Sequence, residues 1–342
     1  MARKLVSGLK KKGHSVIWFS APEETFAILV EGDTKLLNKD LKIRLLQDLG
    51  PEIRSQMSLF GTKMYYEMDL LTRAYNMYMH GKLDILHVFH SSFGHLAHFF
   101  EELTGVPTLY TLHDPMPTED MLEYWLFERF PKQRFLSISK SQQGKLSSHF
   151  FGNVYNGADI NEFKFNRIPN DSFIAVGRMT QEKGIDIAIQ ASRKANVKLN
   201  IASWISKNVE ISEYYKKNIA PYLNTESIKI FNLLSGSKIV SMYQKAKGLI
   251  FPLQWEEPFG LVMIEAMACG TPVIAYNRGS VSEIVRDGLT GFIIDSDIKV
   301  MKGSGKWTIK KQGIEGLVEA IRRIGEIDRA NCRRHIEKNF TI

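Results

Sequence analysis

Cysteine is scarce, with only Cys269 and Cys332 in 342 residues. Two thiols so far apart build neither a disulfide framework nor a four-ligand zinc site, and this usage fits a reducing compartment. Long apolar runs are lacking too. No stretch approaches the ~20 residues that a membrane-spanning helix needs. Met1-Ala2-Arg3-Lys4 leads into mixed residues rather than a signal-peptide apolar region. The expectation is a cytoplasmic protein. Short internal repeats and low-complexity tracts are absent, and 44% hydrophobic with 24% charged residues is the balance of an ordinary folded chain.

A surplus of one charge sign is missing from the first half. Acids and bases number 18 each through residue 160, whereas 27 bases face 19 acids beyond it, so the net charge of +8 belongs to the second half. Such a surplus attracts phosphorylated ligands, anionic membranes or nucleic acid, and equally describes a solvated basic surface. Nucleic acid is the weaker reading, because the basic residues are scattered rather than interleaved with aromatics.

What is present is an alternation of short apolar strands with longer helix-compatible segments. The strands are Ser15–Phe19, Ile85–Phe89, Thr108–Leu112, Phe135–Ile138 and Asn153–Tyr155, then Phe173–Val176, Lys198–Ala202, Ile228–Phe231, Gly248–Phe251, Pro272–Ala275 and Gly291–Ile294. This pattern predicts α/β architecture with two doubly wound parallel sheets, residues 1–160 and 161–342, joined by the polar stretch Asn161–Asp171. Functional residues should then follow strand carboxyl ends. Ala2–Lys12 reads as a helix with no strand before it, which leads us to expect a lost first strand. Leu36–Leu49 reads as an amphipathic core helix, with membrane or acceptor contact as the other reading.

Two clusters carry chemistry. In Glu257-Pro258-Phe259-Gly260-Leu261, Pro258 suits the first turn of a helix and Gly270 its C-terminal end. Glu257 would then sit at a helix N-terminus, where the N–H groups of Phe259, Gly260 and Leu261 form a natural phosphate site. Glu265 would lie two turns along the same helix. The plainer alternative makes Glu257 a helix cap and Glu265 a paired or solvated acid. In the second cluster, Gly177-Arg178-Met179-Thr180-Gln181-Glu182-Lys183-Gly184 follows a strand and sets two cations at its end. Arg178 and Lys183 could bind diphosphate oxygens or form surface salt bridges.

Together these clusters resemble glycosyltransferase family 4, whose members are retaining and have the GT-B fold of two facing Rossmann-like domains. The resemblance implies that Arg178 and Lys183 bind the donor diphosphate, with Gly177 beside them. It implies that Glu257 touches the donor sugar and Glu265 the ribose, that Phe259, Gly260 and Leu261 contact sugar and phosphate, and that Asn232 and Leu233 lie by the base. The family often has glycine where Asn232 stands. His113 and Asp114, ending the strand Thr108–Leu112, resemble residues near the reacting sugar, and Asn156 resembles an acceptor-side position. A structural role for His113 is the alternative. The segment Ser137–Ser141 also resembles family sequence. His87 and His90 read as packing or loop residues.

The implied reaction moves a hexosyl unit from a nucleotide-diphosphate sugar, UDP- or GDP-linked, to an acceptor hydroxyl on a glycan, lipid or small molecule. The departing diphosphate would help to deprotonate the acceptor, with Arg178, Lys183, Glu257 and His113 as the catalytic set. No metal or other cofactor is expected. The resemblance places the donor on residues 161–342 and the acceptor on residues 1–160, with peripheral contact at the cytoplasmic face of a membrane left open. The family's glycine-rich loop after its first strand is not found, which raises the alternative of an inactive paralogue that binds a nucleotide sugar or serves a partner enzyme. Phosphorylases share the layout, but no lysine-bearing cofactor motif stands out.

Overall fold

The computed structural model describes residues 2–20, 29–31, 59–90, 96–203, 205, 212–223, 226–232, 236–296 and 306–342. Leu36–Leu49 and Leu233 lie outside these residues. The chain divides into two compact units, the first comprising Met1–Ile138 and Gln143–Val154, the second Ser139–Gln142 and Tyr155–Ile342. No described helix is long and apolar enough to cross a membrane.

The first unit begins with α1 (Ala2–Lys11), as its sequence predicts. The strand expected at Ser15–Phe19 appears as β1 (Trp18–Ser20), but it pairs antiparallel with β2 (Leu29–Glu31). It is therefore not a member of the unit's parallel sheet. That sheet has the order β3 (Leu86–His90), β4 (Thr108–Leu112), β5 (Arg134–Ser137) and β6 (Phe150–Asn153), all neighbours parallel. The last strand falls three residues earlier than its expected start at Asn153. The helices are α2 (Leu59–Met79), α3 (Leu96–Thr104) and α4 (Leu122–Arg129). Tyr75, Ala97, Tyr110, Phe127 and Phe135 form their shared core. The Tyr75 hydroxyl reaches the Ala97 carbonyl oxygen at 3.1 Å and the Thr108 hydroxyl at 3.0 Å, which satisfies a polar group that would be costly to bury alone. The short helix α5 (Lys140–Gln143) follows β5.

The second unit is a six-stranded parallel sheet in the order β9 (Ile228–Asn232), β8 (Lys198–Ser203), β7 (Ser172–Val176), β10 (Leu249–Phe251), β11 (Val273–Tyr276) and β12 (Gly291–Ile294). Read outward from β7, the chain adds strands on one side, returns, and adds strands on the other. That reversal is the strand order of a doubly wound dinucleotide fold, and its switch point lies between β7 and β10. β11 and β12 are buried along their whole length, as strands covered on both faces must be.

The connecting helices are α6 (Ile185–Ala195), α7 (Glu213–Asn218), α8 (Ser237–Lys245), α9 (Leu261–Ala268) and α10 (Val281–Ile284), with α11 (Gly313–Arg323) and α12 (Arg329–Asn339) completing the unit. α6 packs on α11, whereas α8 and α12 pack on α9. The stretch Asn161–Asp171, expected as a linker, is instead fastened within the second unit. Phe163 is buried, the Asn166 backbone N–H donates to the Cys269 carbonyl oxygen at 3.0 Å, and Arg333 donates to the Phe163 carbonyl oxygen at 2.7 Å.

Candidate functional site

The carboxyl ends of β7 and β10 meet at the switch point, and each releases a loop bearing one of the expected charges. After β7 come Gly177 and Arg178, then a tight turn of 3-10 helix at Gln181–Lys183 that leads into α6. After β10 the chain runs irregularly through Glu257 to Gly260 before α9 starts. The backbone N–H of Gln254 donates to the Glu182 carbonyl oxygen at 2.9 Å, which locks the two loops side by side.

Across that junction Lys183 Nζ lies 2.7 Å from Glu257 Oε2, each side chain only 13% exposed. Trp255 closes the group. Its indole Nε1–H donates to the same Glu257 oxygen at 2.9 Å, and Lys183 Nζ stands 4.2 Å from the ring centroid. The ammonium is thereby held by a carboxylate and by the negative face of an aromatic ring, and a charge-assisted pair shielded from water is stronger than the same pair in solvent. Residues 74 apart in sequence thus form one compact charged site. Trp255 was not singled out from the sequence, where an isolated tryptophan near a strand end has no distinguishing pattern.

The other expected residues are placed separately. Arg178 is 63% exposed on its side chain and makes a 3.4 Å ion pair with Glu182. Gly177 lies with its α-carbon against the Lys183 side chain, at ordinary contact distance for an added Cβ. Glu265 is on α9 and accepts from the buried Tyr243 hydroxyl at 3.1 Å. Burial first, then the nearby Glu265 charge, raises the Tyr243 pKa well above its ordinary value, so this phenol stays a donor. Asn232, at the end of β9, brackets Ile205 by accepting from its N–H at 2.9 Å and donating to its carbonyl oxygen at 3.2 Å. Asn156 is buried in the second unit, whereas His113 and Asp114 follow β4 in the first.

One expectation is corrected. α9 begins at Leu261, not near Pro258, so Glu257 precedes the helix rather than opening it. Gly260 takes the left-handed conformation at φ +78°, and the Phe259 carbonyl oxygen accepts from the buried Ser280 hydroxyl at 2.7 Å instead of starting the helical ladder. Phe259 and Gly260 are therefore outside the helix. The other end follows the sequence reading: Gly270 N–H donates to the Met267 carbonyl oxygen and Thr271 N–H to that of Ala266, the paired bonds of a Schellman cap.

In the first unit, His113 stacks on Phe89 at 5.2 Å and 7°, and Phe89 stacks on His87 at 4.9 Å. His113 Nε2 is buried without a hydrogen-bond partner among the described residues. Burial lowers the His113 pKa, partly offset by the charge of Asp114. Because the fold favours the neutral ring, the unfolded chain takes up this proton first. The stabilisation is complete above the ordinary value of about 6.5 and is lost as pH falls below it. We expect the urea midpoint of the wild type to fall between neutral pH and mildly acidic pH. His113→Phe should show a shallower fall when the two titrations are compared.

Residues 159–302 match the family of glycosyl transferases group 1. The matching segment holds all of β7 to β12 and the whole Lys183–Glu257–Trp255 group. An uncharacterised glycosyltransferase of Methanocaldococcus jannaschii is 25% identical over 225 residues, covering 63% of this chain and 62% of that protein. The chain thus spans less than two thirds of that relative. The lipopolysaccharide 1,2-N-acetylglucosaminetransferase of Salmonella typhimurium is 35% identical over 125 residues, 34% of this chain and 32% of that protein. Among solved structures, Anabaena HepE in complex with UDP and glucose superposes with a TM-score of 0.63 at 18% identity, covering 83% of this chain and 80% of that one. The fold is accordingly α/β, with two parallel-sheet domains and GT-B glycosyltransferases as structural neighbours.

Proposed function

We propose that this protein is a retaining glycosyltransferase that takes a hexosyl unit from a UDP- or GDP-linked sugar and delivers it to a hydroxyl of a glycan or lipid-linked acceptor. The observation that carries this reading is the Lys183–Glu257 pair at the switch point of a doubly wound sheet, where such folds bind nucleotides. A lysine ammonium beside a carboxylate offers one group for phosphate oxygens and another for sugar hydroxyls. Lys183, with Arg178 from the same loop, neutralises the departing diphosphate. Glu257 accepts from hydroxyls of the donor sugar, and Glu265, oriented by Tyr243, accepts from the ribose hydroxyls. Gly177, Asn232, Leu233, Phe259, Gly260 and Leu261 complete the donor set in this reading. His113, Asp114 and Asn156 are the acceptor-side residues in this reading. The chemistry assigned to the protein is electrostatic stabilisation of developing charge, with no enzymic nucleophile and no metal.

A calorimetric titration with UDP, GDP and ADP tests the ribose assignment. Glu265→Ala should bind the preferred nucleotide about tenfold more weakly than wild type, the loss of one good hydrogen-bonding group. Equal affinity in the two proteins would refute that role for Glu265.

A further inference from the structure

Glu256 and Glu257 are neighbours in sequence, yet their carboxylates engage different partners. Glu257 meets Lys183 and Trp255. Glu256 Oε1 accepts from Arg278 Nη1 at 3.0 Å, and its Oε2 accepts from the Gly279 backbone N–H at 2.6 Å. Arg278 is itself largely enclosed, 11% exposed on its side chain, and reaches Ser296 Oγ with its other terminal nitrogen at 3.3 Å. The next residue continues the contact. Ser280 N–H donates to the Glu257 carbonyl oxygen at 3.0 Å, and the Ser280 hydroxyl, fully buried, donates to the Phe259 carbonyl oxygen at 2.7 Å.

Arg278-Gly279-Ser280 is the loop that leaves β11, the neighbour of β10 in the sheet, so adjacent strands deliver both partners to one place. Its approach is close enough to require glycine. A Cβ on Gly279, at φ +53°, would collide with the backbone N and carbonyl oxygen of Glu257. The backbone carrying Glu257 is thus held before it by the Glu256 side chain, at its own carbonyl, and after it at Phe259. An irregular loop lacks the internal hydrogen bonds that fix a helix or strand, so these cross-loop bonds set the direction of the Glu257 side chain.

We propose that Glu256 and Ser280 are positioning residues that aim the Glu257 carboxylate at the donor sugar. Arg278 and Gly279 complete the clamp. This inference rests on the reading of Glu257 as the sugar-contacting acid. Glu256 does not touch the donor in this arrangement; its carboxylate acts through the loop it anchors. The clamp therefore selects for the sugar and is indifferent to the nucleotide.

Two measurements on the full chain test it. The first compares Glu256→Gln and Ser280→Ala with wild type by titrating UDP against UDP-glucose, GDP against GDP-mannose and ADP against ADP-glucose. For the pair that wild type binds best, each variant should keep the nucleotide affinity within about twofold. Each should also lose about tenfold in the affinity gained by adding the sugar. A general loosening of the unit would weaken both ligands alike and would overturn the proposal, as would an intact sugar increment. If wild type gains nothing from the sugar, the sugar-contact reading of Glu257 fails and takes this inference with it.

The second measurement needs no ligand. In protein labelled with 5-fluorotryptophan, the Trp255 fluorine resonance, assigned by its loss in Trp255→Phe, should shift in both variants because the indole is bonded to Glu257. The Trp125 resonance, in the first unit, should stay in place. An unmoved Trp255 signal in both variants would show that the clamp does not set the Glu257 geometry.

Discussion

Lys183→Ala should lower the rate of sugar transfer about 100- to 1,000-fold, the usual consequence of removing one preorganised donor from developing negative charge. The expected size comes from the setting of this ammonium. It is 13% exposed, 2.7 Å from the Glu257 carboxylate and over the Trp255 ring. A group already fixed and shielded from solvent needs little reorganisation when charge builds on the leaving phosphates. Arg178, 63% exposed and loosely paired with Glu182, should matter less. Alanine at 183 also leaves the Glu257 carboxylate without its cation, which costs stability as well as turnover. Lys183→Gln separates the two effects, because it retains a donor toward Glu257 and removes the positive charge. Single-turnover transfer from the preferred nucleotide sugar should be similarly slow in both variants, with urea stability less affected in the glutamine form. Turnover within a few-fold of wild type in Lys183→Gln would exclude a charge-stabilising role.

The second large effect is expected at Arg329. Its guanidinium is buried and donates to the carbonyl oxygens of Asn166 at 2.9 Å, Ala246 at 2.7 Å, Gln244 at 2.9 Å and Cys269 at 3.4 Å, and to the Thr271 hydroxyl at 3.0 Å. Gln244 and Ala246 end α8, and Cys269 ends α9. One cation therefore caps the negative ends of two helices, where carbonyl groups have no further helical partner. It also holds Asn166, within the stretch that joins the two strand series. Burial lowers the Arg329 pKa, opposed by the nearby thiols of Cys332 and Cys269, yet arginine's ordinary value is so high that the side chain remains charged at neutral pH. Arg329→Ala should cost about 3–5 kcal/mol in urea unfolding, since several buried carbonyls lose a charged donor together. Such a loss is a large part of the stability of an ordinary domain. Arg329→Lys should recover only part of it, because an ammonium cannot span acceptors from three segments. A change below about 1 kcal/mol in Arg329→Ala would mean that solvent replaces these bonds readily.

Burial patterns were legible where they are local. Thr108–Leu112 and Gly291–Ile294 were readable residue for residue, because an apolar run bounded by breakers has few other uses. The Schellman end of α9 was likewise announced by Gly270. The start of α9 was not. Pro258 suits a first helical turn, but Ser280 draws the Phe259 carbonyl oxygen into a cross-loop bond, and the helix waits until Leu261. Asn161–Asp171 has the composition of a linker and is nonetheless fastened by Arg329 and Arg333 from α12, more than 160 residues away. At Ser15–Phe19 the apolar run was recognised, but its partner was not, because strand pairing is decided by residues elsewhere in the chain.

The order of strands in the second unit, the cations after β7 and the acids beyond β10 were thus determined by sequence alone, since periodicity and loop composition are properties of neighbouring residues. Tertiary structure decided which charges meet. Lys183 turns to Glu257 while Arg178 stays with Glu182, and Glu256 faces Arg278 while its neighbour faces Trp255. These choices follow from the side-by-side placement of β7, β10 and β11, which brings loops distant in sequence within hydrogen-bonding range.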